Sequence, residues 1–226
     1  MTTNIHSAID SLKQHLLYLG TIVEEGIRNS ITAVRSMDPV LAAEVQAADS
    51  KINALEVNVE EDCLKILALH QPVASDLRFV VTALKMNREL ERIGDLACKI
   101  ADKVLLLHAA RKDAENPAEI VFPQEFEVMF VTTQAMFRNC LDAFVNEDAD
   151  LAYRICLQDD EVDEAKRTIR RQLEQIARTD PGQQVFLPMQ LAIARGVERI
   201  ADHITNTSED IIYMLQGRIV RHEEQI

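Results

Sequence analysis

The chain contains no tryptophan, only 4% aromatic residues, and just six glycines and six prolines. An all-β sandwich or barrel draws on aromatic strands and Gly/Pro-rich turns, so this composition argues against one and favours helices. Basic residues are also short: Lys and Arg number 24 against 37 Asp and Glu, a formal charge of −13. That imbalance opposes the counterion release behind most DNA or RNA binding, and it opposes unaided adsorption to anionic lipid. No apolar run approaches the ~20 residues needed to span a bilayer, and the opening MTTNIHSAID has neither a basic n-region nor an apolar h-region. The expectation is a cytoplasmic protein. Cys63, Cys98, Cys140 and Cys156 form no CxxC pair and sit in apolar, helix-like segments. That pattern fits buried, reduced thiols better than a zinc or disulfide framework.

What is present is 226 residues with 47% hydrophobic character, enough for one domain or two small ones with a real core. From Ile5 the positions Ile9, Leu12, Leu16, Leu19, Val23, Gly26, Ser30, Ala33 and Met37 wind one mostly apolar stripe, which predicts a helix to about Ser36. Asp38-Pro39 pairs a capping side chain with a proline suited to the first helical turn, so a second helix starts there and runs to about Leu69. Gln71-Pro72 ends it. A third pattern runs from Pro72 or Ser75 to about Arg111, and the polar stretch DAENPAEIVF then reads as a linker. Beyond it the order recurs: a helix from about Pro123 to Val145, another from Asp148 to Arg178, the turn TDPG, and a last helix to about Gln216.

The letters recur too. At an offset of 110, Arg28, Asn29, Ala33, Asp38, Leu41, Ala42 and Asp49 match Arg138, Asn139, Ala143, Asp148, Leu151, Ala152 and Asp159. At an offset of 107, Leu84, Arg88, Glu91, Arg92, Ile93 and Asp95 match Leu191, Arg195, Glu198, Arg199, Ile200 and Asp202. Three residues lost from the second inter-helix turn explain the change of offset. The sequence therefore predicts an all-α protein of two tandem three-helix bundles: residues 1–112, a linker at 113–122, and residues 123–226.

Glu91 and Asp95, and likewise Glu198 and Asp202, lie four residues apart, a spacing that stacks two carboxylates on one helix face. Asp49 with Asn53 and Asp159 with Asp163 repeat the arrangement on the preceding helices. Reflection of each antiparallel hairpin through its turn, at Pro72 and within TDPG, brings these pairs to one level, with Glu24 and Glu25 near the first set. Such oxygen-rich groups suit a hard or borderline cation: Fe³⁺, Mn²⁺, Mg²⁺ or Ca²⁺. The alternative is a solvated acidic face paired with Arg88, Arg92, Arg195 and Arg199. The Glu-x-x-His pattern of di-iron bundles, a Gly-rich phosphate loop and GxSxG are all absent, and His70, His108 and His203 are isolated. No catalytic set stands out.

The segments KINALEVNVEEDCLKILALHQPVASDLRFV at 51–80, LERIGDLACKIAD at 90–102 and VERIADHITNTSEDIIYM at 197–214 resemble the PhoU family, in that family's order and spacing. The resemblance implies two homologous three-helix bundles whose E(D)xxxD motifs hold metal ions, iron first, with manganese, magnesium, calcium or zinc as alternatives. By position the ligands would be Asp49 and Asn53, Glu91 and Asp95, Asp159 and Asp163, Glu198 and Asp202. Asn53 offers an amide where the second repeat has a carboxylate, and Lys99 stands where it has Asn206. By ligand count the second site should bind more firmly. The resemblance further implies a non-enzymatic homodimer that represses the phosphate-starvation response. Its partners would be the ATPase component of the phosphate ABC transporter and a sensor histidine kinase, with membrane contact only through them. Two rivals are a metal-dependent enzyme using the bundle carboxylates and a metal-free helical adaptor.

Overall fold

Asp38 ends one helix and starts the next. Its side chain accepts from the backbone N–H of Val40 at 2.9 Å and of Leu41 at 3.2 Å, with Pro39 in the first helical turn. Asp148 does the same for the second half, accepting from the N–H of Leu151 at 2.8 Å. The computed structural model describes residues 5–112 and 119–220. They form six helices: α1 (Ile5–Ser36), α2 (Pro39–His70), α3 (Ala74–Lys112), α4 (Glu125–Asn146), α5 (Ala149–Thr179) and α6 (Leu187–Gln216). Among the described residues there is no strand, and the chain is all-α. Residues 113–118 of the expected linker lie outside the described residues.

The i, i+4, i+7 stripe of α1 is the core face. Leu12, Leu16, Leu19 and Val23 are wholly buried, each contributing roughly 1.5–3 kcal/mol of apolar burial. Helices α1, α2 and α3 pack on one another, as do α4, α5 and α6, while α3 against α6 and α1 against α4 join the halves. The joining helices run antiparallel. Along α3 and α6, Arg78 Nε donates to the Met214 carbonyl at 3.3 Å, Thr82 Oγ1 to that of Asp210 at 3.4 Å, and Glu89 meets His203 at 2.6 Å. Along α1 and α4, Arg35 Nε pairs with Glu127 at 2.9 Å and Lys13 Nζ donates to the Val145 carbonyl at 3.3 Å. Equivalent helices of the two halves thus face each other head to tail. At the seam Gly196 lets α6 close on Ile100, since a Cβ there would lie 2.9 Å from Ile100 Cγ1.

The turns differ from the sequence expectation in two places, at the starts of α4 and α6. Pro123 precedes the fourth helix rather than opening it. The three residues between α2 and α3, Gln71 to Val73, have no counterpart in the second half, which accounts for the shift of offset. The last helix starts only at Leu187, because a 3₁₀ turn, Pro181–Gln183, takes the place of the first residues of α3. Asp180 stabilises that turn by accepting from the Gly182 N–H at 2.9 Å.

Candidate functional site

All eight residues singled out as ligands lie on the facing helices of the two hairpins, α2 with α3 and α5 with α6. Asn53 and Asp202 are exposed and the other six are partly buried. Their register is displaced from simple reflection through the turns. Reflection sets Asp49 opposite Asp95 and Asn53 opposite Glu91. Instead, the Cys98 thiol approaches Asp49 Oδ1 at 3.7 Å, and it is the Glu56 carboxylate that feels the charge of Glu91. In the second hairpin Lys166 Nζ reaches Glu198 Oε1 at 2.5 Å, where reflection sets Asp163 opposite Glu198. The displacement is about three residues in both. Its cause is general: side chains lean toward the N-terminus of their own helix. In an antiparallel pair the two leans add, so each residue of α2 or α5 meets one further from the turn than its own backbone height implies, and each residue of α3 or α6 meets one nearer to it.

The lean brings in two residues that the i, i+4 reading leaves out. Glu56 follows Asp49 by seven residues and Lys166 follows Asp159 by seven, which returns both to the acidic face. Extending the spacing by one more helical turn would have found them. In the first cluster Asp49 accepts from Asn53 Nδ2 at 3.0 Å, while Arg92 lies 3.5 Å from Glu91 and 3.6 Å from Asp95. Lys99 approaches Asp95 at 3.7 Å. Burial, followed by the charges of Glu60 and Glu91, raises the Glu56 pKa, and Arg88 partly offsets this. Glu24 and Glu25 do not join: they pair with Arg138 at 3.5 Å and Arg28 at 3.6 Å.

In the second cluster Lys166 also lies 3.4 Å from Asp163 Oδ1. Burial and then the neighbouring carboxylates of Asp202, Asp163, Asp160 and Glu198 push Asp159 up to about 6. Asp202 is raised too, by burial and then by Glu198 and Asp163, with Lys166 and His203 opposing. These are the signs of carboxylates that are partly withdrawn from water and, beyond that, held close to one another. Among the described residues, however, no group of three or more His, Cys, Asp or Glu side chains is set to hold a metal ion. The donor chemistry suits a hard cation in both clusters. In the first, Glu56 and Glu91 repel and only exposed side chains offset them, an excess of negative charge that a cation would relieve. The second, as built, already contains a cation.

The fold and these acidic faces define an all-α tandem-repeat protein. The PhoU domain model matches the chain twice, at residues 16–104 and 126–211, and the chain belongs to the PhoU family. It is 36% identical over 224 residues to a phosphate-specific transport system accessory protein PhoU homolog of Pseudomonas putida, covering 98% of this chain and 84% of that one. It is 34% identical to the corresponding PhoU protein of Escherichia coli, covering 96% of this chain and 87% of that one. The crystal structure of PhoU from Pseudomonas aeruginosa matches with a TM-score of 0.87 at 33% identity, over 95% of this chain and all (100%) of that one. That of the phosphate transport system regulatory protein PhoU from Streptococcus pneumoniae matches with a TM-score of 0.84 at 27% identity, over 96% and 99% of the two chains.

Proposed function

We propose that the chain is a negative regulator of the phosphate-starvation response. It acts in the cytoplasm and couples the ATPase component of a phosphate transporter to a sensor histidine kinase. The observation that carries this reading is the near-full-length match, through both repeats, to accessory proteins of the phosphate-specific transport system. The architecture agrees: six helices of up to 39 residues give broad, stiff faces for protein partners, including a second copy of the chain. No described helix is long and apolar enough to cross a membrane, so membrane contact falls to those partners. The role is regulatory rather than catalytic. A cation, iron or another hard metal, belongs to this reading at the first cluster, where Asp49, Asn53, Glu56, Glu91 and Asp95 would hold it. It would supply positive charge that draws α2 and α3 together and shapes the surface they present.

Deleting the gene should leave phosphate-starvation genes switched on in phosphate-rich medium, and restoring the chain should silence them. Unchanged phosphate-responsive transcription would refute the reading. The metal-free adaptor keeps support from the placement of Lys166 and from the described residues, among which no group of ligands is set to hold a metal. Elemental analysis of protein purified without chelator separates the two, since the adaptor carries no stoichiometric metal.

A further inference from the structure

The two acidic clusters descend from one repeated unit, yet they differ at the position seven residues after the first acid. Counting from Asp49 gives Glu56, and counting from Asp159 gives Lys166. The register displacement aims both at the same place, the first carboxylate of the facing helix: Glu56 feels Glu91, and Lys166 Nζ stands 2.5 Å from Glu198. One cluster therefore has a negative charge where the other has a positive one.

We infer that Lys166 is the resident cation of the second cluster, and that its ammonium, held between Glu198 and Asp163, closes that cluster to metal ions. The inference rests on reading the carboxylates as cation ligands, and it reverses the order that counting carboxylates suggests. An ammonium with three donors, 2.5 Å from Glu198 and 3.4 Å from Asp163, takes up oxygens a metal would need. A metal ion on those oxygens would also sit against a fixed like charge. The stem of Lys166 arises on the same helix as Asp163, so the ammonium is tethered and binds without the entropy loss of a free ion. It is also comparatively shielded: the Lys166 side chain is 34% exposed and that of Glu198 17%.

The first cluster has no equivalent. Arg92 and Lys99 approach it, but their contacts with Asp95 are 3.6 and 3.7 Å and their side chains are 55% and 63% exposed. Long exposed side chains at those distances are weakly held. Glu56 and Glu91 add repulsion that a cation relieves. The duplicated unit has thus been resolved into one half open to an exogenous cation and one half carrying its own.

The test is calorimetric titration with Mn²⁺ of chelator-stripped, dialysed protein, with helical content followed by circular dichroism. Six forms are compared: wild type, Lys166→Gln, Lys166→Met, Lys166→Gln with Glu198→Gln, Glu198→Gln alone, and Glu91→Gln. Lys166→Gln should gain one Mn²⁺ site per chain, at least tenfold tighter than any binding the second cluster shows in the wild type, and adding Glu198→Gln should abolish it. Glu198→Gln alone should leave wild-type Mn²⁺ binding unchanged. Lys166→Met, which has no polar atom to fill the place, should behave as Lys166→Gln does. Either of two results would overturn the inference: a wild-type site weakened tenfold by Glu198→Gln, or no new site in both Lys166 variants. Failure of the underlying cation reading is distinct, because it shows as wild-type protein with no Mn²⁺ site sensitive to Glu91→Gln, whatever the Lys166 variants do.

Discussion

Lys85 Nζ lies 3.1 Å from Asp210 Oδ1, and the two residues belong to different repeats. The Asp210 side chain is only 4% exposed, so the pair places a buried charge at the seam. Removing one partner of a buried charge costs more than removing the charge itself. Lys85→Met should therefore lower stability by about 2 kcal/mol, and Asp210→Asn by clearly less, as read from urea midpoints. Equal losses would show that the charge is not what matters there.

Gly196 makes a second seam prediction. A Cβ at this position would stand 2.9 Å from Ile100 Cγ1 and 3.3 Å from Cδ1, and Ile100 is a stiff, buried β-branched residue. Gly196→Ala should cost about 1–3 kcal/mol by overpacking. Ile100→Ala opens a cavity, yet combining the two should cost less than their sum, because the new methyl enters the space vacated. Additive losses in thermal unfolding would mean that the helices separate instead.

The cysteines should be slow to react. All four are free, and burial, as the first cause, pushes each thiol up to about 12. Neighbouring carboxylates add to this at Cys63, Cys98 and Cys156. Thiolate is the reactive form, so alkylation by iodoacetamide at pH 8 should run on the order of a hundredfold slower in the folded protein than in urea. A thiol that reacts at the unfolded rate would place it at the surface.

Asp159 links stability to pH. Its carboxyl is raised to about 6, so the folded chain holds this proton more firmly than the unfolded chain. The contribution to stability is fully present below about pH 4 and is lost as pH rises through about 6. Asp159→Asn should accordingly stabilise the protein at pH 7.5 by about 1 kcal/mol, after allowance for screening by solvent, with the gain vanishing near pH 4. Urea midpoints at the two pH values, in chelator, check this. A gain of the same size at both would exclude ionisation as its source.

Much of the fold was legible because α-helical order is written locally. The stripe of α1, the Asp38-Pro39 start and the stop at Gln71-Pro72 each needed only a few neighbouring residues. The late start of α6 was not legible, because it depends on the turn at Asp180–Gly182 winning over a run that could have stayed helical. That the eight candidate residues fall on four facing helices was legible, but their register was not. Equal heights on a backbone are a property of chain length, whereas contacts depend on the direction in which side chains lean. Glu56 and Lys166 became visible only when that lean was taken into account.

The head-to-tail seam makes the chain an intramolecular heterodimer whose halves cannot be exchanged. By the offset of 107, the first-repeat counterpart of Asp210 is Lys103, and that of His203 is Leu96. A chain built from two copies of the first repeat would set Lys85 against Lys103 on both sides of the axis, and Glu89 against Leu96. Attraction would become repulsion and a bridged carboxylate would face an apolar side chain. Duplication supplied two equal halves, and the charges along α3 and α6 now commit each half to the other, leaving every outward face free to diverge independently.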